Sequence, residues 1–351
     1  MVNIRTTSSP VFTIVTPVYN VEQYLEKSLQ SILNQTFFDF ELILVNDASS
    51  DCSYRICEDF AAKDKRITVL NLKKNCGAAE ARNRGITIAK GKYLCFVDAD
   101  DTIDIDYLQR FYDVLQEEEY DFVKCGAYEE YFEADGGNLI YKRECVLTEK
   151  DCTGNREIIE QVIDMELIPL FGYLWNSVYK MSVIKANQLR FDKTLKVNED
   201  FAFNMQYLSF VHNMKCLSYC GYHYTKRNRN NTSLSSHKKN YDYEKHLLKV
   251  RGFLALIHQN QMETQCLLDK VYWMFTRFTF SALEAGTPMN VIRKEPIFAE
   301  YKQHSFGELA GKRKLLTGIL QNDNALIIKP VVFIMGFVKE YLPILFAKVK
   351  K

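Results

Sequence analysis

Four short apolar segments rich in β-branched residues alternate with three amphipathic segments at the start of this chain. The apolar segments cover 11–18, 40–46, 67–72 and 92–98, and the amphipathic segments cover 21–35, 52–63 and 78–91. Short strands separated by helices of this length build βαβ units around a mostly parallel sheet. The sequence therefore predicts an α/β fold with a Rossmann-like sheet and flanking helices. Ligands bind such sheets at the carboxyl ends of the strands.

The predicted secondary structure changes twice along the rest of the chain. We predict an antiparallel hairpin over 121–147, mixed helix and loop over 155–211, and a short strand pair over 215–225. From about residue 240 the pattern is mainly helical. We therefore expect a first domain over 1–235 and a helical C-terminal region over 236–351.

The charge balance and the cysteines narrow the class of protein. The 351 residues carry a net charge of +1, so no overall attraction to nucleic acid is expected. Ten cysteines without a CxxC pair fit a reducing compartment and argue against a zinc site. The sequence shows neither a secretory leader nor a long unbroken apolar run, so we expect a cytoplasmic location.

Carboxylates crowd the end of the fourth apolar segment, where LCFVDADDTID contains Asp98, Asp100 and Asp101. Like charges this close repel one another unless a positive group lies among them. Asp98 and Asp100 are therefore predicted to bind a divalent cation that also holds a diphosphate. The alternative is a capping role, in which Asp101 and Asp104 accept backbone N–H groups at the start of the next helix.

Two more residues near strand ends suit a nucleotide. Asp47 follows the second apolar segment and could accept the N3–H of uracil or a similar base; the alternative is a turn-forming role within NDASSD. Arg82, within GAAEARNRG, offers a positive charge to the nucleotide; the alternative is a solvated helix face. Their shared placement at one edge of the predicted sheet favours a nucleotide site.

Three stretches of the first half resemble the family 2 glycosyltransferases, which have the GT-A fold. They are TIVTPVYNVEQYLEKSLQSILNQT, LILVNDASSD and NCGAAEARNRGITIAKGKYLCFVDADD; the match spans about residues 10–105 and continues more weakly to about 225. The resemblance is to bacterial enzymes that build capsular polysaccharide, exopolysaccharide and lipopolysaccharide. It implies a nucleotide-sugar half at 10–105 and an acceptor half at 106–235.

The resemblance also implies roles for individual residues. Contacts with the nucleotide sugar are implied for Pro17, Tyr19, Asp47, Arg82 and Asp98, and binding of Mn²⁺ or Mg²⁺ for Asp100 with Asp98. Asn46 and Ala48 stand where the family often has Asp and Gly. The alanine leads us to expect that the turn after the second strand needs no glycine.

In inverting members of the family, an acidic residue at the start of a later helix removes the proton of the acceptor hydroxyl. Asp200 matches that position, with Glu199 as the second candidate. Trp175 and Asn176 are expected to shape the acceptor side. The alternatives are an acid pair that interacts with the helix dipole and, for Trp175 and Asn176, ordinary core positions.

Basic residues recur in the segment 221–233 and at the end of the chain. Arg227 and Arg229 are expected to pair with the diphosphate and His223 to add a metal ligand, against the alternative of a basic surface loop. The C-terminal helices end in KVKK and suit the anionic inner face of a membrane. The alternative is a helical subdomain that packs on the catalytic domain or on a second copy in a homodimer.

Together these features predict an inverting, metal-dependent glycosyltransferase. It would move a hexosyl or N-acetylhexosaminyl group from a nucleotide-diphosphate sugar, with UDP as the expected nucleotide, to a hydroxyl of a polysaccharide or lipid-linked acceptor. A non-catalytic subunit that binds sugar nucleotides or assists assembly is one alternative. A nucleotidyltransferase is the other, although TPVYNVEQY lacks the glycine-rich, basic loop expected of that class.

Overall fold

The computed structural model describes residues 9–133, 137–195, 197–227, 242–307 and 309–341. The chain divides into two compact units, Met1–Asn230 and Asn231–Lys351. The first unit is built on a mixed sheet and the second unit is helical. The predicted α/β fold with a helical C-terminal region is therefore confirmed.

The first half of the first unit is a parallel sheet with a helix after each of its first three strands. Its elements are β1 (Phe12–Val18), α1 (Glu22–Leu33), β2 (Phe40–Asn46), α2 (Ser53–Ala61), β3 (Ile67–Asn71), α3 (Ala78–Ile88) and β4 (Tyr93–Phe96). The strands pair in the order β3-β2-β1-β4, and all three pairings are parallel. Every one of these elements lies inside the segment predicted for it.

Apolar side chains with the expected periodicity pack the helices onto this sheet. Leu25, Leu29 and Ile32 recur every three or four residues on α1 and are fully buried. Helix α3 lies so close to β1 that a Cβ on Gly85 would come within 2.4 Å of the Val15 side chain. The glycine thus permits a close approach that brings α3, which carries Arg82, directly over the central strand.

The second half of the first unit extends the same sheet with antiparallel and parallel strands. Its elements are β5 (Thr102–Ile103), α4 (Tyr107–Glu117), β6 (Phe122–Phe132), β7 (Leu139–Cys145), β8 (Lys150–Thr153), α5 (Gly154–Leu167), β9 (Ser177–Lys180), α6 (Met181–Ala186), α7 (Glu199–Leu208) and β10 (Asn213–Arg227). Strand β9 pairs antiparallel with both β4 and β6, and β10 pairs parallel with β6. Strands β6 and β7 form the predicted antiparallel pair.

The strand pair predicted over 215–225 is wrong, because this segment belongs to one long strand. Strand β10 runs without a turn from Asn213 to Arg227 beside β6. Its register shifts between Leu217 and Cys220 and again between Cys220 and Tyr222. The first irregularity includes Ser218 and the second includes Gly221, and both residue types are common in turns.

The second unit contains six helices among its described residues. They are α8 (Tyr243–Gln259), α9 (Gln265–Glu284), α10 (Met289–Ile292), α11 (Pro296–Gln303), α12 (Gly311–Asn322) and α13 (Ala325–Tyr341). Val250 of α8 and Phe275 of α9 are among its fully buried side chains. None of the helices in the described part of the chain combines the length and the apolar character needed to cross a membrane.

Candidate active site

Hydrogen bonds join the loops that follow β1 and β2. The Asn20 backbone N–H donates to the Ser49 hydroxyl at 3.1 Å, and the Ser50 N–H donates to the Asn20 side chain at 2.8 Å. Pro17 lies at the end of β1 and is partly exposed, whereas Tyr19 in the loop is exposed. The two loops therefore form one surface at the carboxyl edge of the parallel strands, with Tyr19 accessible from solvent.

Asp47 anchors the chain that leads into α3. Its two carboxylate oxygens accept the backbone N–H groups of Cys76 and Gly77, each at 2.7 Å, and the residue is only 3% exposed. A carboxylate oxygen has two lone pairs, so these bonds leave acceptor capacity. The contact with a base that we expect of Asp47 stays a prediction.

Ala48 has a backbone conformation that glycine adopts more easily. Its φ angle is 58°, in the left-handed region. An alanine there brings its Cβ too close to a backbone carbonyl oxygen. The turn therefore forms without a glycine, as expected, although alanine adopts its positive φ with strain.

Arg82 of α3 brings together three carboxylates from two distant parts of the sequence. Its Nη1 donates to Asp200 at 2.7 Å and reaches Glu199 at 3.4 Å, while its Nη2 donates to Asp98 at 3.1 Å. Burial lowers the pKa of Arg82, but the charges of Asp200, Asp98 and Glu199 more than compensate and leave its pKa raised. We call these four residues the Arg82 cluster. Arg82 occupies the helix position that we predicted, but it is a buried bridge and not part of a solvated face.

Asp100 is paired with a second arginine. Nη1 of Arg227 donates to the Asp100 carboxylate at 2.7 Å and Nη2 to the Asp100 carbonyl at 3.0 Å. The Arg227 guanidinium lies 3.5 Å from the ring centroid of Tyr24 on α1. Sequence reasoning missed Tyr24, because nothing in the pattern of α1 distinguishes it from other surface tyrosines.

Asp98 and Asp100 suit a divalent cation. Burial raises the pKa of Asp100, the charge of Asp98 raises it further, and Arg227 opposes both effects. Two carboxylates that repel each other at a strand end offer the oxygen ligands that Mg²⁺ and Mn²⁺ prefer, and a cation would relieve the repulsion. Within the described residues, no group of three or more His, Cys, Asp or Glu side chains is arranged to hold a metal. Further ligands would therefore have to come from a bound diphosphate or water.

Asp101 holds β10 in place instead of capping a helix. Its carboxylate accepts the Tyr222 hydroxyl at 2.8 Å and the Thr225 backbone N–H at 2.7 Å. Burial, together with the charges of Asp100 and Asp98, raises the pKa of Asp101. The capping alternative is thus wrong for Asp101, whose bonds cross to a strand more than a hundred residues later in the sequence.

His223 is engaged away from the proposed metal ligands. Its Nδ1 lies 2.8 Å from Glu130 and its Nε2 lies 2.9 Å from Asp104, and the ring packs on Tyr128. Because carboxylates occupy both ring nitrogens, neither is available to a metal in this arrangement. The geometry argues against the predicted metal-binding role of His223.

The two predicted acceptor residues lie inside the fold. Trp175 stacks on Tyr222 with ring centroids 4.4 Å apart and is buried. Asn176 is fully buried, and its amide group donates to the carbonyls of Cys125 and Leu170. Neither side chain is accessible to a ligand here, so the core alternative fits the geometry better. Arg229, the remaining predicted site residue, lies outside the described residues.

Comparisons with known proteins agree with this architecture. Residues 13–163 match the family described as Glycosyl transferase family 2. EpsJ of Bacillus subtilis, described as an uncharacterized glycosyltransferase, is 33% identical over 211 residues, which are 59% of this chain and 59% of EpsJ. The glycosyltransferase GlyA of Streptococcus pneumoniae is 35% identical over 196 residues, which are 55% of this chain and 27% of GlyA. The chain therefore spans less than two thirds of these relatives.

A solved structure shows the same fold over a longer region. TarS 1–349 of S. aureus, crystallised with UDP-GlcNAc, superposes with a TM-score of 0.61 and 21% identity over 91% of this chain and 88% of that chain. The family match lies within the unit that carries the Arg82 cluster. The chain therefore contains a family 2 glycosyltransferase domain over residues 13–163, with the GT-A fold.

Proposed function

We propose that this protein is an inverting glycosyltransferase of cell-surface glycan synthesis that uses a UDP-sugar. The acceptor would be a hydroxyl group of a polysaccharide or of a lipid-linked oligosaccharide. The observation that carries the proposal is the Arg82 cluster. A single buried guanidinium links Asp200, the candidate base, to Asp98, the candidate donor-site carboxylate.

Asp200 is proposed as the general base. An ion pair with a guanidinium favours the ionised carboxylate, which is the form that can accept a proton. The acceptor oxygen would attack the anomeric carbon as its proton passes to Asp200, and the bond to the diphosphate would break with the electron pair leaving on the diphosphate. Because attack and departure occur on opposite faces in one displacement, the configuration at the anomeric carbon inverts. Glu199, 3.4 Å from Arg82, is the less well placed candidate.

The donor side rests on the loops after β1, β2 and β4. TarS has been crystallised with UDP and with UDP-GlcNAc, which supports a UDP-sugar as the donor for this fold. Tyr19 and Asp47 would contact the nucleotide, and Arg227 would exchange part of its contact with Asp100 for the diphosphate. The transferred group would be a hexosyl or an N-acetylhexosaminyl group.

Asp98 and Asp100 would hold Mn²⁺ or Mg²⁺. A divalent cation bound there supplies positive charge to the departing diphosphate. The protein itself orients Asp98 through Arg82 and Asp100 through Arg227, so that both carboxylates stay at the edge of the sheet.

The exposed side of α13 supports a peripheral membrane contact. Leu326, Phe333 and Phe337 are 84%, 74% and 49% exposed and recur on one face of the helix. Lys312, Arg313 and Lys314 lie in the first turn of the preceding helix, α12. Exposed apolar side chains and a basic cluster in the same helical unit are complementary to an anionic lipid bilayer, and we propose such a bilayer as the occupant of this face.

The proposed function can be tested by ligand stabilisation and by one conservative substitution. The melting temperature should rise with UDP-sugars and manganese, and less with GDP-, CMP- or dTDP-sugars, because a ligand that binds only the folded state stabilises it. Asp200→Asn should keep this stabilisation and lose turnover, whereas Asp113→Asn, at an exposed position on α4, should keep both. Full turnover in Asp200→Asn would contradict the proposed base. Folded protein that no nucleotide sugar stabilises would favour the non-catalytic subunit.

A further inference from the structure

A lysine that the proposed chemistry does not use lies buried in the middle of the first unit. Lys124 of β6 is fully buried. Its ammonium donates to the Tyr173 carbonyl at 2.9 Å, to the Asn176 side chain at 2.9 Å and to the Ser177 hydroxyl at 2.6 Å, and it reaches the Phe171 carbonyl at 3.4 Å. All four partners belong to the segment 171–177, which passes between β6 and α7.

A side chain of helix α7 binds two of the same oxygens. Nδ2 of Asn204 donates to the Phe171 carbonyl at 2.6 Å and to the Tyr173 carbonyl at 3.1 Å. Its Oδ1 accepts the Tyr179 hydroxyl of β9 at 2.6 Å. Asn204 is fully buried, so water does not compete for these bonds.

The two shared carbonyls link the sheet to the helix that carries the candidate base. Lys124 approaches them from β6 and Asn204 from α7, and Asp200 precedes Asn204 by one helical turn. We propose that Lys124 and Asn204 are positioning residues that fix α7, and with it Asp200, relative to the donor site. This inference rests on the proposed function, because it assumes that Asp200 accepts the acceptor proton.

The side of α7 that faces the candidate site and its opposite, buried side are then held by separate contacts. Arg82 binds the Asp200 and Glu199 carboxylates in the first turn of α7, on the site side. The Lys124 bonds oppose sliding and rotation of α7, because they fix the Phe171 and Tyr173 carbonyls to which Asn204 also donates. A displacement of about 1 Å between reacting groups lowers a rate by about 100-fold, so such a restraint is functionally significant.

The experiment compares two variants of this network with one control. In Lys124→Met and Asn204→Leu the new side chain has a volume similar to that of the original one, but it lacks the hydrogen-bond donors. Gln35→Met is the control, because Gln35 is also buried and donates to two carbonyls, but between α1 and the residues before α4. For each folded protein we would measure hydrogen exchange of the 199–208 amides, UDP binding, and UDP release from UDP-hexoses and UDP-N-acetylhexosamines with Mn²⁺.

In both network variants, hydrogen exchange of the α7 amides should be at least about tenfold faster than in wild type, and kcat should be about 100-fold lower. Their affinity for UDP should stay within about threefold of the wild-type value. The control should lose stability without either effect. Unchanged α7 exchange and unchanged kcat in folded Lys124→Met would overturn the inference. If that variant does not fold, Asn204→Leu and the milder Ser177→Ala decide the matter by the same measurements. Wild-type protein that releases UDP from none of the UDP-hexoses and UDP-N-acetylhexosamines would instead overturn the proposed function, and α7 exchange would still decide whether the network fixes the helix.

Discussion

At the scale of single residues, Arg82 combines a structural and an electrostatic role. Its single positive charge offsets part of the repulsion among three carboxylates at the edge of the sheet. Removing one partner of a buried ion pair leaves an uncompensated charge and costs about 3–5 kcal/mol. Substitutions of Arg82 would therefore mix loss of stability with loss of chemistry. Asp200→Asn preserves the shape of the side chain and separates the two effects more cleanly.

Replacing Ala48 by glycine should stabilise the protein. An alanine at φ 58° costs roughly 1–2 kcal/mol, and glycine removes that cost while it adds about 0.5–1 kcal/mol of unfolded-state freedom. The free energy of unfolding from urea titration should therefore rise by up to about 1 kcal/mol. Ala62→Gly is the matched control, because Ala62 has φ −64° and the same substitution there should destabilise. Equal losses in the two variants would show that Ala48 is not strained.

Lys124 should make stability depend on pH above neutrality. Burial lowers its pKa from 10.5 to about 7, although nearby Cys125, Cys216, Glu166 and Asp200 oppose the shift. Between these pH values the unfolded chain holds a proton that the folded protein has released, so the free energy of unfolding rises with pH. Below about pH 7 both states hold the proton and this contribution is constant.

The test compares wild type with Lys124→Met by urea unfolding between about pH 7 and about pH 9. The stability of wild type relative to the variant should increase by up to about 1.4 kcal/mol per pH unit. Lys92→Met serves as the control, because Glu119 raises the pKa of Lys92 and no such trend is expected for it. A difference that stays constant with pH would mean that Lys124 does not titrate in this range.

The candidate site residues whose place in the fold was predictable are those whose position follows from local pattern. Asp98, Asp100 and Arg82 lie at strand ends or helix starts, so the βαβ pattern alone brings them to one edge of the sheet. Trp175 and Asn176 have no such local signal, and their burial depends on strands that are distant in sequence. Lys124 was missed because a single lysine in an apolar run gives no sign that its ammonium has four buried acceptors.

At the scale of elements, the parallel half of the sheet was predictable and β10 was not. In the first half, each strand is followed by the helix that covers it. The period of the apolar residues and the length of each segment are therefore enough to assign it as a strand or a helix. Strand β10 pairs along its length with β6, about ninety residues earlier, and this pairing continues through two register shifts. Turn-like composition within β10 therefore misled the prediction, because tertiary pairing outweighs local preference.

The exposed face of α13 makes a prediction about lipid binding. Transferring a Phe or Leu side chain from water to an apolar phase is worth about 1.5–3 kcal/mol, so Leu326→Ser with Phe333→Ser should weaken vesicle binding by about 100-fold or more. Flotation with phosphatidylglycerol and phosphatidylcholine vesicles measures this, and binding should favour the anionic lipid and fall with salt. Leu139→Ser, which removes an exposed leucine of β7, is the control.

The same variants distinguish lipid from a second protein copy. If α13 contacts a bilayer, light scattering should give the same mass for wild type and for the double variant in solution. A wild-type dimer that the double variant converts to monomer, without vesicle binding by either, would assign the face to a homodimer.

At the scale of the whole molecule, the division into two units predicts that the first unit folds alone. Every described residue of the candidate site lies within Met1–Asn230, and this unit has its own buried core around β1 and β6. A domain of this length buries about 70–75% of the surface that its unfolded chain exposes, which is enough for independent stability. The fragment 1–230 should therefore unfold cooperatively in urea and bind UDP with Mn²⁺ as tightly as the full chain does, by calorimetry. A fragment that folds but binds UDP at least tenfold more weakly would show that residues after 230 contribute to the donor site, because every 1.4 kcal/mol of binding free energy changes affinity about tenfold.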